Sequence, residues 1–501
     1  MQRMNRVAQG SNSRGRSAVV VGGGLGGLSV AIHLRCAGWN VCILEAHDRV
    51  GGRAQGWAGS GFTFDTGPTL VNYPWVFDQL FQRAGTCLAD YVTLRLVTPS
   101  LECHWPSEPP LRLTSCLADM VHEIERWEGH AAGWAEFMRV GAERFDVAFT
   151  HLVTRNAHRL WGWVRGAGVR RLAPVVTLRT LDGELRRFFH HPRVRDALGA
   201  YAMYLGGSPY QLPGLYSIIP YGELAFGLWW PEGGIVALVR AIEQLARRVG
   251  VEIVTNCAVR QIETDGAQVR GVICEDGSRI AAKVVVSNVD VPTTWQRLLG
   301  RPRAMAERLN MTLGVVTVYW GIHRQWSGHP HAIFFPTDTR RCYEDLFRRH
   351  IVPEEVAFYA CLQSRLQPDR APPGHTALFV LVPVPTLRHV SAEQLRRRLP
   401  GILGQVRGRL ASHGWQWAES DVVVEQIWTP ADWAERLGLF DGSAFGASHG
   451  WSQIGPFRPP NRDPYVRGLY YVGASTTPGT GLPLVVLSGQ MTSERIQMDF
   501  A

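Results

Sequence analysis

The segment from Ser17 to Ala46 constrains this chain more than any other stretch of it. Ala18-Val19-Val20-Val21 is a short β-branched run that predicts a fully buried strand. Gly22-Gly23-Gly24-Leu25-Gly26-Gly27 follows at once, and a helical stretch then runs through Leu28, Ala31, Ile32 and Leu34 to a stop at Gly38. Val41-Cys42-Ile43-Leu44 predicts a second strand that closes on Glu45. This order of elements is one βαβ unit carrying a dinucleotide fingerprint. Gly22 permits the tight turn, Gly24 lets backbone approach a pyrophosphate, and Gly27 lets the helix pack on the strand. The helix N-terminus offers unpaired N–H groups and partial positive charge to the phosphates. Glu45 is placed to accept from both ribose hydroxyls and to repel a 2′-phosphate.

The carboxyl-terminal end repeats the theme. Gly468-Leu469-Tyr470-Tyr471-Val472 predicts a strand, Gly473 to Gly481 a glycine-rich loop, and Leu484 to Ile496 a helix. Two close-approach loops of this kind imply one extended ligand, with the second loop beside the half that the first does not hold. A nucleotide domain assembled from distant segments follows, with other structure inserted between them. Within that insertion, Val251–Thr255, Ala258–Thr264, Gln268–Cys274 and Ala282–Ser287 read as four short strands, with turns at Asp265-Gly266 and Asp276-Gly277. Leu313–Ile322, Val356–Gln363, Thr376–Val384 and Val422–Trp428 predict a separate sheet. Between its last two strands, Ser391 to His413 predicts a basic amphipathic helix whose Arg396-Arg397-Arg398 run is a solvated face.

At 501 residues the chain has room for two or three domains. A net charge of +9 favours anionic partners, but the arginines form no dense cluster and no nucleic-acid motif, which argues against nucleic acid and leaves an anionic bilayer. The nine cysteines show no metal-ligand spacing and suit reduced cytosolic thiols. Met1 to Ser17 is polar, without the apolar core of a signal peptide, and no stretch reaches the roughly 20 apolar residues that span a bilayer. The expected location is therefore cytoplasmic, with any membrane contact peripheral. Eighteen tryptophans are high, and fit either core packing or the lining of an apolar tunnel or membrane interface.

Arg49-Val50-Gly51-Gly52-Arg53 and Phe64-Asp65-Thr66-Gly67-Pro68-Thr69, following Glu45, resemble the amine-oxidase-like flavoprotein superfamily and make FAD the expected dinucleotide. Tyr204-Leu205-Gly206-Gly207-Ser208-Pro209, Trp230-Pro231-Glu232-Gly233-Gly234 and the stretch from Phe457-Arg458-Pro459 to Pro483 are similar to its bacterial carotenoid desaturase branch, of which phytoene desaturase is a member. The resemblance implies an α/β fold. A Rossmann-like FAD domain is built from 17–100, 231–300 and 440–501, an α+β substrate domain from 187–230 and 301–439, and a helical membrane-docking region from 101–186. It also implies that Gly22, Gly24, Gly27, Glu45, Gly52, Arg53 and Gly67 contact FAD, with Val259 on the adenine side and Gly473 and Gly481 on the flavin side. The branch carries His before the Pro-Gly of the last motif, whereas this chain has Thr477, which leaves the particular substrate and the number of bonds desaturated open.

The implied activity is desaturation of a C30 or C40 isoprenoid, with quinone or oxygen reoxidising the flavin. No metal site and no catalytic acid or base is legible, His190 and His191 being as well explained by structure. Other readings keep parts of the pattern: an amine or porphyrinogen oxidase, a later 3,4-desaturase or carotenoid ketolase, or a non-enzymatic isoprenoid-binding escort protein. At roughly 0.8 kcal/mol per buried CH₂, a C40 chain gains on the order of 30 kcal/mol by staying out of water, so substrate must be collected at a bilayer. The segment Arg155 to Leu178 interleaves Leu160, Trp161, Trp163 and Val164 with Arg155, Arg159, Arg165, Arg170 and Arg171, a pattern suited to an interfacial helix. Replacing Trp161 and Trp163 by Ser is expected to release the protein from liposomes in a flotation assay; unchanged partitioning would exclude this segment as the docking surface.

Overall fold

The first strand, Ser17–Val21, pairs in parallel with Asn40–Leu44 on one side and with Val285–Ser287 on the other. Leu469–Tyr471 and Glu252–Val254 complete the edges, giving a five-stranded parallel sheet built from widely separated parts of the chain. The computed structural model describes residues 16–156 and 175–501. A parallel sheet is stable only when both faces are covered, which is why these strands read as unbroken apolar runs. Val20, Val41, Ile43 and Val286 pack against the helices Leu25–Cys36, Ile235–Arg248 and Leu482–Asp499. Val19, Val21, Cys42, Leu44 and Val285 pack instead against an antiparallel three-stranded sheet, Val259–Thr264, Val269–Cys274 and Arg279–Ala281.

The helices follow from their patterns. Ile235, Leu238, Val239, Ile242, Leu245 and Ala246 fall on one face of Ile235–Arg248 and are buried. Helix Leu482–Asp499 lies so close to Leu25–Cys36 that a Cβ at Gly489 would meet the Ser29 hydroxyl at 2.3 Å, and that hydroxyl donates to the Val486 carbonyl at 2.7 Å.

A second, seven-stranded sheet runs in the order Val422–Trp428, Gly314–Ile322, Thr376–Val384, Phe358–Leu362, His331–Phe334, Leu101–His104, Leu111–Leu113. Its interior strand Gly314–Ile322, next to the edge, is buried throughout because both faces are covered. Val316, Val318, Trp320 and Ile322 face Leu395, Ile402, Val406 and Leu410 of the helix Ala392–Ser412, while Val315 and Tyr319 meet Phe62 and Phe64 from the nucleotide-binding part. Arg396, Arg397 and Arg398 are exposed, as expected of a solvated face.

Three expectations need correction. The span 101–186 is not wholly helical: Leu101–His104 and Leu111–Leu113 extend the seven-stranded sheet before the helices Leu117–Glu128 and Ala132–Val147 begin. These strands have only three or four residues, too few for alternation to register, and the first pairs with a segment more than two hundred residues away. Five strands, not four, lie between Val251 and Asn288, because Arg279–Ala281 and Val285–Ser287 separate and join different sheets. The last helix begins at Leu482 and ends at Asp499, outside the expected bounds at both ends. The expected docking residues from Arg159 to Arg171 lie outside the described residues; no described helix is long and apolar enough to cross a membrane.

His331 sits in the seven-stranded sheet with no solvent exposure, its Nδ1 2.6 Å from the Tyr359 hydroxyl, which lies 2.7 Å from Thr69 Oγ1. Burial, helped by His329, pushes its imidazole down from 6.5 to about 3. The neutral ring is thus favoured by folding, a contribution whole above pH 6.5 and lost as pH falls toward 3. By pH 5 the loss is about 2 kcal/mol. His331→Gln is expected to flatten the fall of Tm between pH 7 and pH 5; an unchanged slope would assign it to other groups.

Candidate functional site

The site forms where the first strand gives way to the first helix. Gly22 turns the chain at φ +94° and donates its N–H to the Leu44 carbonyl at 2.8 Å. Gly24 caps the helix without a side chain, so the first-turn amides, which have no intrahelical acceptor, are left to a ligand or to neighbours. A Cβ on Gly27 would stand 2.2 Å from the Gly22 carbonyl oxygen, so only glycine allows helix and strand to approach this closely.

Glu45 ends the second strand almost fully buried. Its Oε2 accepts from the Gly23 amide at 2.7 Å and its Oε1 from the His47 amide at 3.0 Å. Each carboxylate oxygen has a further lone pair for a ribose hydroxyl, and the two backbone bonds hold the acid still. The Glu45 carbonyl accepts from the Cys257 amide at 2.8 Å, which brings the start of strand Val259–Thr264, and with it Val259, to the same end of the sheet.

The Arg49–Arg53 segment lies directly over the glycine loop. The Gly51 amide donates to the Gly23 carbonyl at 2.9 Å, and Gly52, at φ +57°, would set a Cβ 3.4 Å from the Gly24 Cα. Arg53 donates from Nη1 to the Ala444 carbonyl at 2.5 Å, so part of the guanidinium expected to contact FAD braces the carboxyl-terminal region. Gly67 packs on Arg53: a Cβ there would be 2.2 Å from the Arg53 carbonyl oxygen. Behind this loop Asp65 and Arg370 form a buried ion pair at 3.1 Å, and burial outweighs the guanidinium to push the Asp65 carboxyl up. Asp65 also accepts from the Val236 amide, and Arg370 donates to the Gly233 carbonyl and lies over the Trp230 ring. The Trp230–Gly234 motif is thereby fixed to the nucleotide loop.

The carboxyl-terminal loop meets this group through one side chain that the sequence does not single out. Asn288 Oδ1 accepts from the Gly27 amide at 3.1 Å, and its Nδ2 donates to the Val472 carbonyl at 3.1 Å. Gly473, at φ +115°, lies so near that a Cβ would be 2.9 Å from Asn288 Nδ2, and one on Gly26 would be 3.2 Å from the Gly473 amide nitrogen. Gly22, Gly24, Gly27, Glu45, Gly52 and Gly473 therefore form one contiguous group. Gly481 stands at the far end of the loop, at φ +107°, where it caps the helix Leu482–Asp499 with no atom of the described residues beyond its chain neighbours within 4 Å of its missing Cβ.

Arg458 holds the shape of that loop. Almost fully buried, it donates to the carbonyls of Ala447, Ser448, Gln453, Ala474 and Thr476. Burial brings it down only to about 10, so it remains a cation at neutral pH. The sequence shows Arg458 only inside a longer motif and gives Asn288 no signal beyond its place at the end of a strand, because the partners of both are remote. With its helix end, anchored acid and second glycine loop, the site has the donors and open backbone that FAD requires, spread along one line.

Asn288→Leu removes the acceptor for Gly27 and the donor to Val472 while keeping the volume. Leaving two such groups unpaired costs about 1–3 kcal/mol each, so FAD affinity is expected to fall by at least tenfold in fluorescence titration of the apoprotein. Wild-type affinity in a folded variant would show that the two loops do not depend on this amide.

Residues 25–497 match the family described as flavin containing amine oxidoreductase. The chain is 37% identical to a zeta-carotene-forming phytoene desaturase of Myxococcus xanthus over 97% of this chain and 95% of that one. It is 32% identical to an all-trans-zeta-carotene desaturase of the same organism, over 96% and 93%. A putrescine oxidase structure shares the fold at a TM-score of 0.61, with 17% identity over 96% of this chain and 99% of that one. The chain belongs to the flavin-containing amine oxidoreductase family and, within it, to the carotenoid desaturases.

Proposed function

We propose that this protein desaturates a membrane-dissolved C40 precursor of the phytoene type, collecting it at a bilayer surface and returning product there. It is an FAD-dependent oxidoreductase acting on CH–CH groups. The observation that carries the substrate is the full-length identity to the phytoene desaturase of Myxococcus xanthus. An apolar substrate is also in keeping with a cluster of rings, Tyr73, Trp75, Phe145, Phe149, Tyr221 and Phe226, in mutual contact at centroid distances of 4.3–6.3 Å. It runs from partly exposed Phe226 to Tyr73, two residues beyond the buried Val71. The described tryptophans otherwise serve mainly as core, Trp39, Trp105, Trp230 and Trp320 among them, while Trp451 is exposed.

Bound FAD supplies the acceptor for the hydride that leaves a saturated carbon. The side chains bind and orient. In this reading the amides of Gly24 to Gly27 and the carboxylate of Glu45 hold the ADP half, with Val259 by the adenine. Gly52, Arg53 and Gly67 flank the pyrophosphate, and Gly473 and Gly481 leave room for the flavin half. The three-part division and the docking role of the 155–178 segment belong to the same proposal, as do a cytoplasmic, peripherally attached location and reoxidation by a quinone or oxygen.

A second reading, action on a later, already conjugated intermediate, has a specific support: Thr477 stands where the branch carries His, and the zeta-carotene desaturase relative is nearly as similar. Incubation with phytoene-loaded and zeta-carotene-loaded liposomes separates the two. The first reading expects new long-wavelength absorption from phytoene, each added conjugated bond shifting it further; conversion of zeta-carotene alone would establish the second, and conversion of neither would overturn both.

A further inference from the structure

The carboxyl-terminal glycine loop has a neighbour that none of the foregoing uses. His449 is 3% exposed, and its Nε2 accepts from the Thr480 amide at 3.3 Å. Gly479, at φ +147°, has no side chain because His449 fills the space: a Cβ there would lie 2.5 Å from the same Nε2. On its other side the ring meets the edge of Tyr216 at 6.0 Å. Its Nδ1 is buried without a hydrogen-bond partner among the described residues, and the Leu205 backbone is the polar group that acts on the ring. Leu205 belongs to the Tyr204–Pro209 motif, so His449 stands between that motif and the Thr477–Gly481 turn. Its own segment is fixed at both sides, the Thr312 amide donating to the Gly446 carbonyl at 3.0 Å and the Ala447 amide to Ser475 Oγ at 3.2 Å.

We infer that His449 is a positioning residue of the flavin-side loop, held as the neutral Nδ1–H tautomer between the Thr480 amide and the Leu205 turn. An imidazole nitrogen that accepts from a backbone N–H must keep its lone pair, which places the proton on Nδ1. The ring then accepts toward the cofactor loop and presents its proton toward the substrate side, fixing the spacing between two segments that no regular element joins. Thr477 does not serve in its stead, for its hydroxyl is buried without a partner among the described residues.

A role as base is the competing assignment, and the surroundings oppose it. The charged group facing His449 is Arg458, a like charge in the same buried volume, and Tyr216 is the other titratable neighbour. Burial and Arg458 together hold the imidazole well below its usual range. A proton delivered to Nε2 would also set two N–H groups against each other at Thr480.

The inference rests on assigning the 473–481 loop to the flavin half of FAD, and its test keeps the two apart. His449→Leu removes the acceptor, whereas His449→Gln supplies a side-chain carbonyl at similar reach. Loss of one buried hydrogen bond of this kind corresponds to about a tenfold change in an equilibrium constant. Fluorescence titration of the apoproteins should therefore show FAD affinity about tenfold weaker in the Leu variant, with a shifted flavin absorption band. The Gln variant should stay within about threefold of wild type. If the Leu variant fails to fold, imidazole nitrogen NMR of the wild-type protein at pH 7 still decides the tautomer. An Nε2–H tautomer, an imidazolium, or a Gln variant as weak as the Leu variant overturns the proposal. An Nδ1–H tautomer with wild-type FAD affinity and spectrum in a folded Leu variant overturns the flavin-side assignment beneath it.

Discussion

The carboxamide of Asn288 accepts one hydrogen bond and donates another, and through them it ties the first helix to the carboxyl-terminal loop. Its partners Gly27 and Val472 lie 261 and 184 residues away in sequence. A helix N-terminus carries amides without acceptors, and a loop after a strand carries carbonyls without donors; a primary amide is the side chain that answers both needs at once. The backbone of Asn288 adds a bond to the Val21 carbonyl at 2.8 Å, so the residue is held by the sheet before its side chain reaches outward. Closing such long loops is less costly than it looks, because closure entropy grows only with the logarithm of length. Placing the three parallel strands Ser17–Val21, Val285–Ser287 and Leu469–Tyr471 side by side brings the loops together; the amide sets their spacing.

Around that joint, buried ions do what helices and strands do elsewhere. The segments Ala447–Phe457 and Ala474–Thr480 have little regular structure, and their carbonyls would be costly to bury unpaired. Arg458 satisfies five of them from one rigid fork, which makes an irregular loop as fixed as a helix end. Asp65 and Arg370 act likewise between the nucleotide loop, the Trp230–Gly234 turn and the seven-stranded sheet. Removing one member of such a pair leaves a buried charge without its partner and costs far more than the intact pair contributes. Under the proposed function this rigidity has a chemical use, since a reacting bond has to be held in place against the bound flavin.

What was legible in the sequence follows the range of each interaction. The Gly22–Gly27 turn, the second strand and Glu45 are adjacent in chain and space, so spacing alone located them. The long strands Gly314–Ile322 and Thr376–Val384 declared themselves through apolar length, and the turns at Gly266 and Gly277 through residues that adopt positive φ at little cost. Leu101–His104 stayed hidden because a four-residue strand carries almost no periodic signal and its parallel partner lies far along the chain. Asn288, Arg458 and His449 stayed hidden for a related reason. A lone polar residue has meaning only through partners that folding supplies, and neither its own identity nor its neighbours in sequence name them. Arg53 shows the same limit from the other side: the motif singled it out for the site, yet one of its donors is engaged by Ala444.

The shared fold also indicates where specificity must reside. A putrescine oxidase, whose structure was solved with putrescine bound, has the same overall architecture, and putrescine is a dication at neutral pH. A site for such a ligand needs a carboxylate or an open aromatic face that is not already engaged. Among the described residues the buried carboxylates are engaged by the protein itself. Asp65 meets Arg370, Glu184 meets Arg144 and Arg187, Glu223 meets Tyr201 and Asn72, Asp345 meets Arg349, and Asp463 meets Arg301. Glu45 is left with lone pairs to spare, held at the end of the second strand by the Gly23 and His47 amides. An ammonium entering this interior would lose its hydration and find most of these acids already paired with arginine, a cost of several kcal/mol per ion. A hydrocarbon meets no such penalty. The shared fold thus encloses, in this chain, an interior whose buried acids are mostly engaged by the protein's own donors.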